Sequence, residues 1–296
     1  MSPNATVRPG TVVGPGTVVD PGVGIRAGVG VAGCGRMGAP MLAALRAAGI
    51  DARGLDVRPP ADFGTSAPVM TDDPAAFAPG LRTLITVVRD QAQTEDVLFG
   101  AAGLIAAAPA LETVVVSSTL SPRYVRALRD RAPPRIALVD APMSGAAVAA
   151  QEARLSFMLG GEDATLDRLQ PLFDAMGAHF HRMGPFGAGM TAKVLNNLVG
   201  ASSVAMTRLA LDWADALGVP EDRLLDLMND SSGQTWFGAN FDAIEFARDG
   251  HSDDNTIGII VKDVASALDA MPEGRDPALP RAVQAAIRGL RPRGGS

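Results

Sequence analysis

Lys193, Asn196 and Asn197 follow a glycine-punctuated run, Gly184-Pro185-Phe186-Gly187-Ala188-Gly189. Lys193 and Asn197 are four residues apart, so on a helix they share one face. An amine partly withdrawn from water loses some of its preference for the charged form, and its pKa falls toward a working range. Such a group suits proton transfer. Asparagine does not titrate, yet it can hold a hydroxyl or carbonyl oxygen in place. Adjacent asparagines are unfavourable inside a helix, which argues for a purpose. Taken alone, the same residues also describe an ordinary solvated lysine.

A second cluster lies far upstream, Gly33-Cys34-Gly35-Arg36-Met37-Gly38. Gly33 suits a tight turn, Gly35 lets backbone N–H groups approach a pyrophosphate, and Gly38 lets a helix pack closely on a sheet. The helix N-terminus then faces the phosphates. An acid, Asp56, follows 21 residues after Gly35. It can accept hydrogen bonds from a ribose 2′-hydroxyl. Its charge opposes a 2′-phosphate and favours NAD over NADP. Arg58 speaks the other way, since arginine pairs with phosphate, so NADP remains possible. A third cluster is Asp140-Ala141-Pro142-Met143-Ser144-Gly145. Outward-facing amides and the Ser144 hydroxyl can grip a carboxylate there; an ordinary turn is the plainer reading.

The elements that must position these groups show in the apolar pattern. Strands are expected at Gly28 to Ala32, Ala52 to Val57, Thr83 to Val88, Thr113 to Ser117 and Ile136 to Val139. A helix is expected from Met37 to about Ala48, with Met41, Leu42 and Leu45 at helical spacing and Gly49 as its stop. Strands alternating with helices imply a parallel sheet. The expected fold is α/β: a Rossmann-type parallel sheet domain, residues 27–188, then an all-α domain, residues 189–296. A long helix from about Gly189 to Leu217, on the order of 40 Å, joins them. Its length suits packing against a second subunit. Residues 1–26 nearly repeat a Pro-Gly-Thr-Val-Val unit and read as a mobile extension. Trp236, Phe237 and Phe241 are candidates for the substrate side, with simple core packing as the alternative.

Composition narrows the function classes. The chain has 296 residues, 47% hydrophobic and 20% charged, enough to bury real cores. Net charge is −6 with no basic stripe, which speaks against nucleic acid. No apolar run approaches the roughly 18 residues of a membrane span. A lone cysteine, Cys34, fits a reducing cytoplasm. His179, His181 and His251 match no metal-ligand spacing, so no metal is expected.

Taken together the clusters resemble the β-hydroxyacid dehydrogenase family, which includes 3-hydroxyisobutyrate dehydrogenases. The similarity runs from about Val29 to Ala270. It rests on the glycine fingerprint, on Ile85-Thr86-Val87-Val88-Arg89-Asp90 and on Ser118-Thr119-Leu120-Ser121-Pro122. It rests further on Asp140 to Gly145, on Gly187 through Lys193 to Asn197, and on Val261-Lys262-Asp263-Val264. The resemblance implies reversible oxidation of a small 3-hydroxy acid by NAD(P), with Lys193 as general acid/base. It implies that Asn197 positions the substrate, and that Ser144, Gly145 and Ala146 bind it. Gly33, Cys34, Gly35, Arg36, Met37, Gly38, Asp56 and Arg58 would hold the cofactor, with Val88 and Thr119 along its nicotinamide half. Lys262 would close over it from the helical domain. A homodimer or homotetramer is implied as well. Ala146, Ala149 and Ala153 stand where the family usually has glycine. An imine or ketone reductase on the same scaffold, or a cofactor-binding protein without catalysis, are the alternatives. Imine-reducing relatives usually lack the lysine found here at position 193.

Overall fold

The computed structural model describes residues 24–294, so nearly all of the extension expected at residues 1–26 lies outside the described residues. The sheet half opens on β1 (Val29–Ala32), α1 (Gly38–Ala47) and β2 (Ala52–Leu55). A 3-10 segment, Pro60–Val69, leads to β3 (Met70–Thr71) and α2 (Pro74–Phe77). Then come β4 (Thr83–Thr86), α3 (Gln91–Phe99), α4 (Leu104–Ala107), β5 (Thr113–Val116), α5 (Pro122–Arg131) and β6 (Ala137–Asp140). These strands pair in parallel in the order β3-β2-β1-β4-β5-β6. β1, β4 and β5 are buried along their whole length, which is why they read as continuous apolar or threonine-bearing runs. The expected strands differ from the observed ones only by a residue or two at their ends.

Chain direction along the sheet reverses at β1. The chain runs outward through β2 and β3, then returns to place β4 on the other side. The crevice outside the C-terminal ends of β1 and β4 is where such sheets take ligands.

Three further strands extend the sheet beyond the expected set: β7 (Met143–Ser144), β8 (Leu155–Gly160) and β9 (Gly177–Gly184). α6 (Ala146–Gln151) and α7 (Asp163–Met176) lie between them. β8 runs antiparallel to β6 and β7, and β9 runs parallel to β8. The sheet is therefore parallel except at this edge. His179 and His181 lie exposed on β9.

The helical half begins with α8 (Ala188–Leu217), 30 residues and about 45 Å long. It continues through α9 (Glu221–Asn229), α10 (Trp236–Ala239), α11 (Thr256–Asp269) and α12 (Ala278–Arg288). Ala201 and Ala205 on α8 pack against Ile257, Val261 and Val264 of α11 and Ile287 of α12. Phe237 and Phe241 are buried with Val204 and Leu211, so they serve the core, whereas Trp236 is exposed. Among the described residues no helix is long and apolar enough to cross a membrane.

One carboxylate ties the two halves together. Asp140, at the end of β6, is fully buried. Its Oδ1 accepts from the Gly187 amide at 2.6 Å, and its Oδ2 accepts from the Met190 amide. Those N–H groups belong to the first turn of α8, which has no cap of its own at Gly187. An acid there both satisfies orphan donors and complements the helix dipole. Burial pushes the Asp140 carboxyl above its usual range, and the two amide bonds oppose that rise. Gly189 allows the close approach, because a Cβ there would overlap the Met158 carbonyl oxygen. Replacing Asp140 with alanine strands two buried donors and is expected to cost about 2 kcal/mol or more in urea unfolding. A loss below about 0.5 kcal/mol would show that α8 is anchored by other contacts.

Candidate active site

The glycine turn joins β1 to α1 at the crevice. Gly33 has φ +89°, and a Cβ on Gly38 would overlap the Gly33 carbonyl oxygen. Both positions therefore exclude a side chain on steric grounds. Gly35 faces open space. The amides of Gly35, Arg36 and Met37 have no hydrogen-bond partner among the described residues, and Met37 supplies no side-chain cap. A row of free N–H groups at a helix start fits a pyrophosphate.

Cys34 is different. Its amide donates to Asp56 Oδ2 at 2.8 Å, and its thiol is buried and pushed up to about 12, chiefly by burial. The thiol is thus a packing group without nucleophilic character.

Asp56 stands at the end of β2 with both oxygens engaged. Oδ1 accepts from Arg58 N at 3.1 Å and Nε at 3.0 Å, and Oδ2 accepts from Arg58 Nη2 at 3.3 Å as well as from Cys34. Burial opposes its ionisation, yet the Arg58 and Cys34 bonds outweigh burial and hold the carboxyl below its usual range. The Arg58 guanidinium also lies 4.5 Å over the Phe63 ring. A cavity of about 400 Å³ opens beside these groups, lined by Gly35, Arg36, Arg58, Asp62, Phe63 and Ser66 among others. Its place beyond β2 suits the adenosine end of a dinucleotide.

The second group gathers on the far side of the crevice. Lys193, in the second turn of α8, is 8% exposed, and its Nζ donates to Ser144 Oγ at 3.0 Å. Burial pushes its ammonium below the usual lysine range; the Asp263 carboxylate opposes this and Lys262 adds to it. Asn197, one turn on, donates from Nδ2 to Asp263 Oδ2 at 2.6 Å. Lys262, on α11, donates to the carbonyls of Thr119 at 3.2 Å and Arg89 at 3.3 Å. These carbonyls lie in the loops after β5 and β4, so Lys262 reaches across from the helical half. Arg36–Glu245 at 2.7 Å and Arg89–Asp254 at 3.3 Å span the same gap.

The two groups adjoin. Val88, half-buried after β4, sits against Gly33, and Thr119 is bonded to Lys262. Gly145 and Ala146 are exposed at the rim beside Ser144. Ala146 and Ala153 adopt φ +56° and +52°, alone among the described non-glycine residues. The loop thus keeps a backbone that glycine adopts freely, at a strain of roughly 1–2 kcal/mol for each alanine. Two carboxylates in this arrangement had no role in the sequence reading: Asp140, which anchors α8, and Asp263, which joins Lys262, Asn197 and Lys193. Composition holds a signal for Asp263. Lys193 and Lys262 are the only lysines in the chain; arginine fills every other lysine or arginine position.

Known proteins share this fold. Residues 28–184 match the model of the NAD-binding domain of 6-phosphogluconate dehydrogenase. Residues 187–290 match that of the NAD-binding domain of NADP-dependent 3-hydroxyisobutyrate dehydrogenase. An L-threonate dehydrogenase from Cupriavidus necator is 29% identical over 83% of this chain and 84% of its own. An NAD-dependent L-serine dehydrogenase from Pseudomonas aeruginosa is 33% identical over 69% of this chain and 70% of its own. The structure of Mycobacterium tuberculosis 3-hydroxyisobutyrate dehydrogenase with L-serine superposes with a TM-score of 0.75 at 26% identity, covering 89% of this chain and 95% of that one. With family models matching residues 28–184 and 187–290, and a relative 33% identical over 69% of the chain, the chain belongs to the β-hydroxyacid dehydrogenase family.

Proposed function

We propose that the protein oxidises a small 3-hydroxy acid, or reduces the matching semialdehyde or keto acid, and that Lys193 takes and returns the hydroxyl proton. The reading rests on the buried Lys193 amine, bonded to Ser144 on the loop after β6. The substrate class follows the relatives, whose names cite threonate, serine and 3-hydroxyisobutyrate, all small hydroxylated acids. We take residues 27–188 as the cofactor domain and 189–296 as the substrate and assembly domain.

A bound nicotinamide dinucleotide supplies the hydride acceptor. The chain supplies position and proton transfer. Neutral Lys193 accepts the hydroxyl proton during oxidation, and its ammonium returns it during reduction. Ser144 Oγ and the rim amides of Gly145 and Ala146 hold the substrate carboxylate. Nδ2 of Asn197 keeps a second N–H beyond the one given to Asp263, and it holds the substrate oxygen. Gly35, Arg36 and Met37 cradle the pyrophosphate, while Gly33 and Gly38 shape the turn and Cys34 backs it. Val88, Thr119 and Lys262 frame the nicotinamide end.

Asp56 favours NAD. A ribose hydroxyl would take over one of the bonds that Arg58 now makes, and the released guanidinium leaves NADP usable. The lone buried thiol suits a reducing, cytoplasmic setting.

A second copy of the chain is the proposed partner. Leu195, Val199, Met206, Leu209, Trp213 and Leu217 lie along one face of α8 at intervals of three, four or seven residues. Their exposure runs from 41% at Leu209 to 77% at Leu217. An apolar stripe of that length and period suits helix-to-helix packing.

Three outcomes are expected. Lys193→Ala loses several orders of magnitude in turnover while cofactor affinity barely changes; comparable turnover would remove the proton-transfer role. Asp56→Ala weakens NAD about tenfold more than NADP by calorimetry; an undiminished NAD affinity would contradict that assignment. Met206→Glu with Trp213→Glu yields monomers by light scattering, and an intact oligomer would place the interface elsewhere.

A further inference from the structure

Asp263 lies on α11 beside the Lys193 site and is buried, 7% exposed. Its Oδ2 accepts from Asn197 at 2.6 Å. Its Oδ1 lies 3.7 Å from Lys262 Nζ, an ion-pair distance too long for a hydrogen bond, and has no hydrogen-bond partner among the described residues. An unbonded carboxylate oxygen out of water is costly unless cations face it. Burial pushes the Asp263 carboxyl above its usual range, and the charged groups that face it and oppose this are Lys262 from its own helix and Lys193 from α8; Asn197 is its neutral partner. These cations are the only two lysines of the protein. Arginine could not fill the place of Lys193 in proton transfer, because it does not deprotonate.

We propose that Asp263 is a positioning residue for the reaction: its buried carboxylate orients the Asn197 amide and supplies the negative charge that Lys262 and Lys193 face. This rests on Lys193 being the acid/base. A carboxylate can only accept, so it settles which end of the Asn197 side chain is nitrogen. The nitrogen keeps one N–H beyond the one given to Asp263, and the amide oxygen accepts from Asn196 at 3.4 Å. The charge matters equally. Without it, burial and the Lys262 ammonium together leave Lys193 a weak base, and a weak base takes a hydroxyl proton poorly. With it, Lys193 is poised lower than a surface lysine but still basic enough to accept.

The two-lysine composition makes the test direct. Protein labelled with carbon-13 at lysine Cε gives two signals, assigned with Lys262→Met. The titration midpoint of Lys193 is then read in the cofactor-free protein. Asp263→Asn keeps the shape and an acceptor for Asn197 but removes the charge. Its Lys193 midpoint is expected to fall by about one pH unit or more. In oxidation, kcat/KM rises with pH as Lys193 loses its proton, so that rising limb should move to lower pH by a similar amount. If Asp263→Asn does not fold, Asp263→Ala removes the same charge, and its Lys193 midpoint is expected to fall likewise. An unmoved midpoint in the folded variant overturns the proposal. Activity surviving in Lys193→Ala would instead overturn the acid/base reading beneath it. Loss of activity in Lys193→Ala with an unmoved Asp263→Asn limb rejects the role of Asp263 alone.

Discussion

Asp140 accepts two main-chain hydrogen bonds from the first turn of α8 while having no contact with water. Few arrangements fix a helix so firmly to a sheet, because both groups lose their alternative partner in solvent. The direction of α8 follows from that grip, and so does the place of Lys193, one turn further on. The same loop continues from Asp140 to Ser144, whose hydroxyl receives the Lys193 amine. One short segment therefore anchors the helix at one end and meets the Lys193 amine at the other. Loosening the anchor would let water reach the amine and raise its preference for the charged form.

Around this anchor the cleft is held from both halves. Lys262 bonds to carbonyls after β4 and β5, and Arg36 and Arg89 meet acids of the helical half. The surface ion pairs contribute little stability singly, at roughly 0–1 kcal/mol. Their worth lies in bringing α11 over the crevice, so that Lys262 and Asp263 stand beside Lys193. A shell of this kind matters because proton transfer is sensitive to small displacements.

Much of this was legible in the residues. The glycine turn was, because steric exclusion at Gly33 and Gly38 is a local property with a fixed spacing. Lys193 and Asn197 were, because helical periodicity puts them on one face. Strand ends shifted by a residue or two, since boundaries depend on neighbouring strands. β9 escaped because it follows α7 without a turn and carries His179, His181 and Arg182, a polar run unlike a buried strand. Phe237 and Phe241 look alike whether they line a pocket or fill a core, and only the packing against Val204 and Leu211 decides it. Asp140 and Asp263 stood inside recognised segments yet showed no role of their own, for a deeper reason. A carboxylate that caps a distant helix or faces two lysines looks, in sequence, like any solvated acid. The scarcity of lysine is the exception, since the only two lysines of the chain both face Asp263.

The account turns on where the Lys193 amine sits when substrate is bound. A crystal structure with nicotinamide cofactor and a small hydroxy acid measures this directly. The account requires Nζ within about 3 Å of the substrate hydroxyl oxygen, with the substrate carboxylate at Ser144. An amine turned to solvent, or bonded only to the carboxylate while another group meets the hydroxyl, would contradict it.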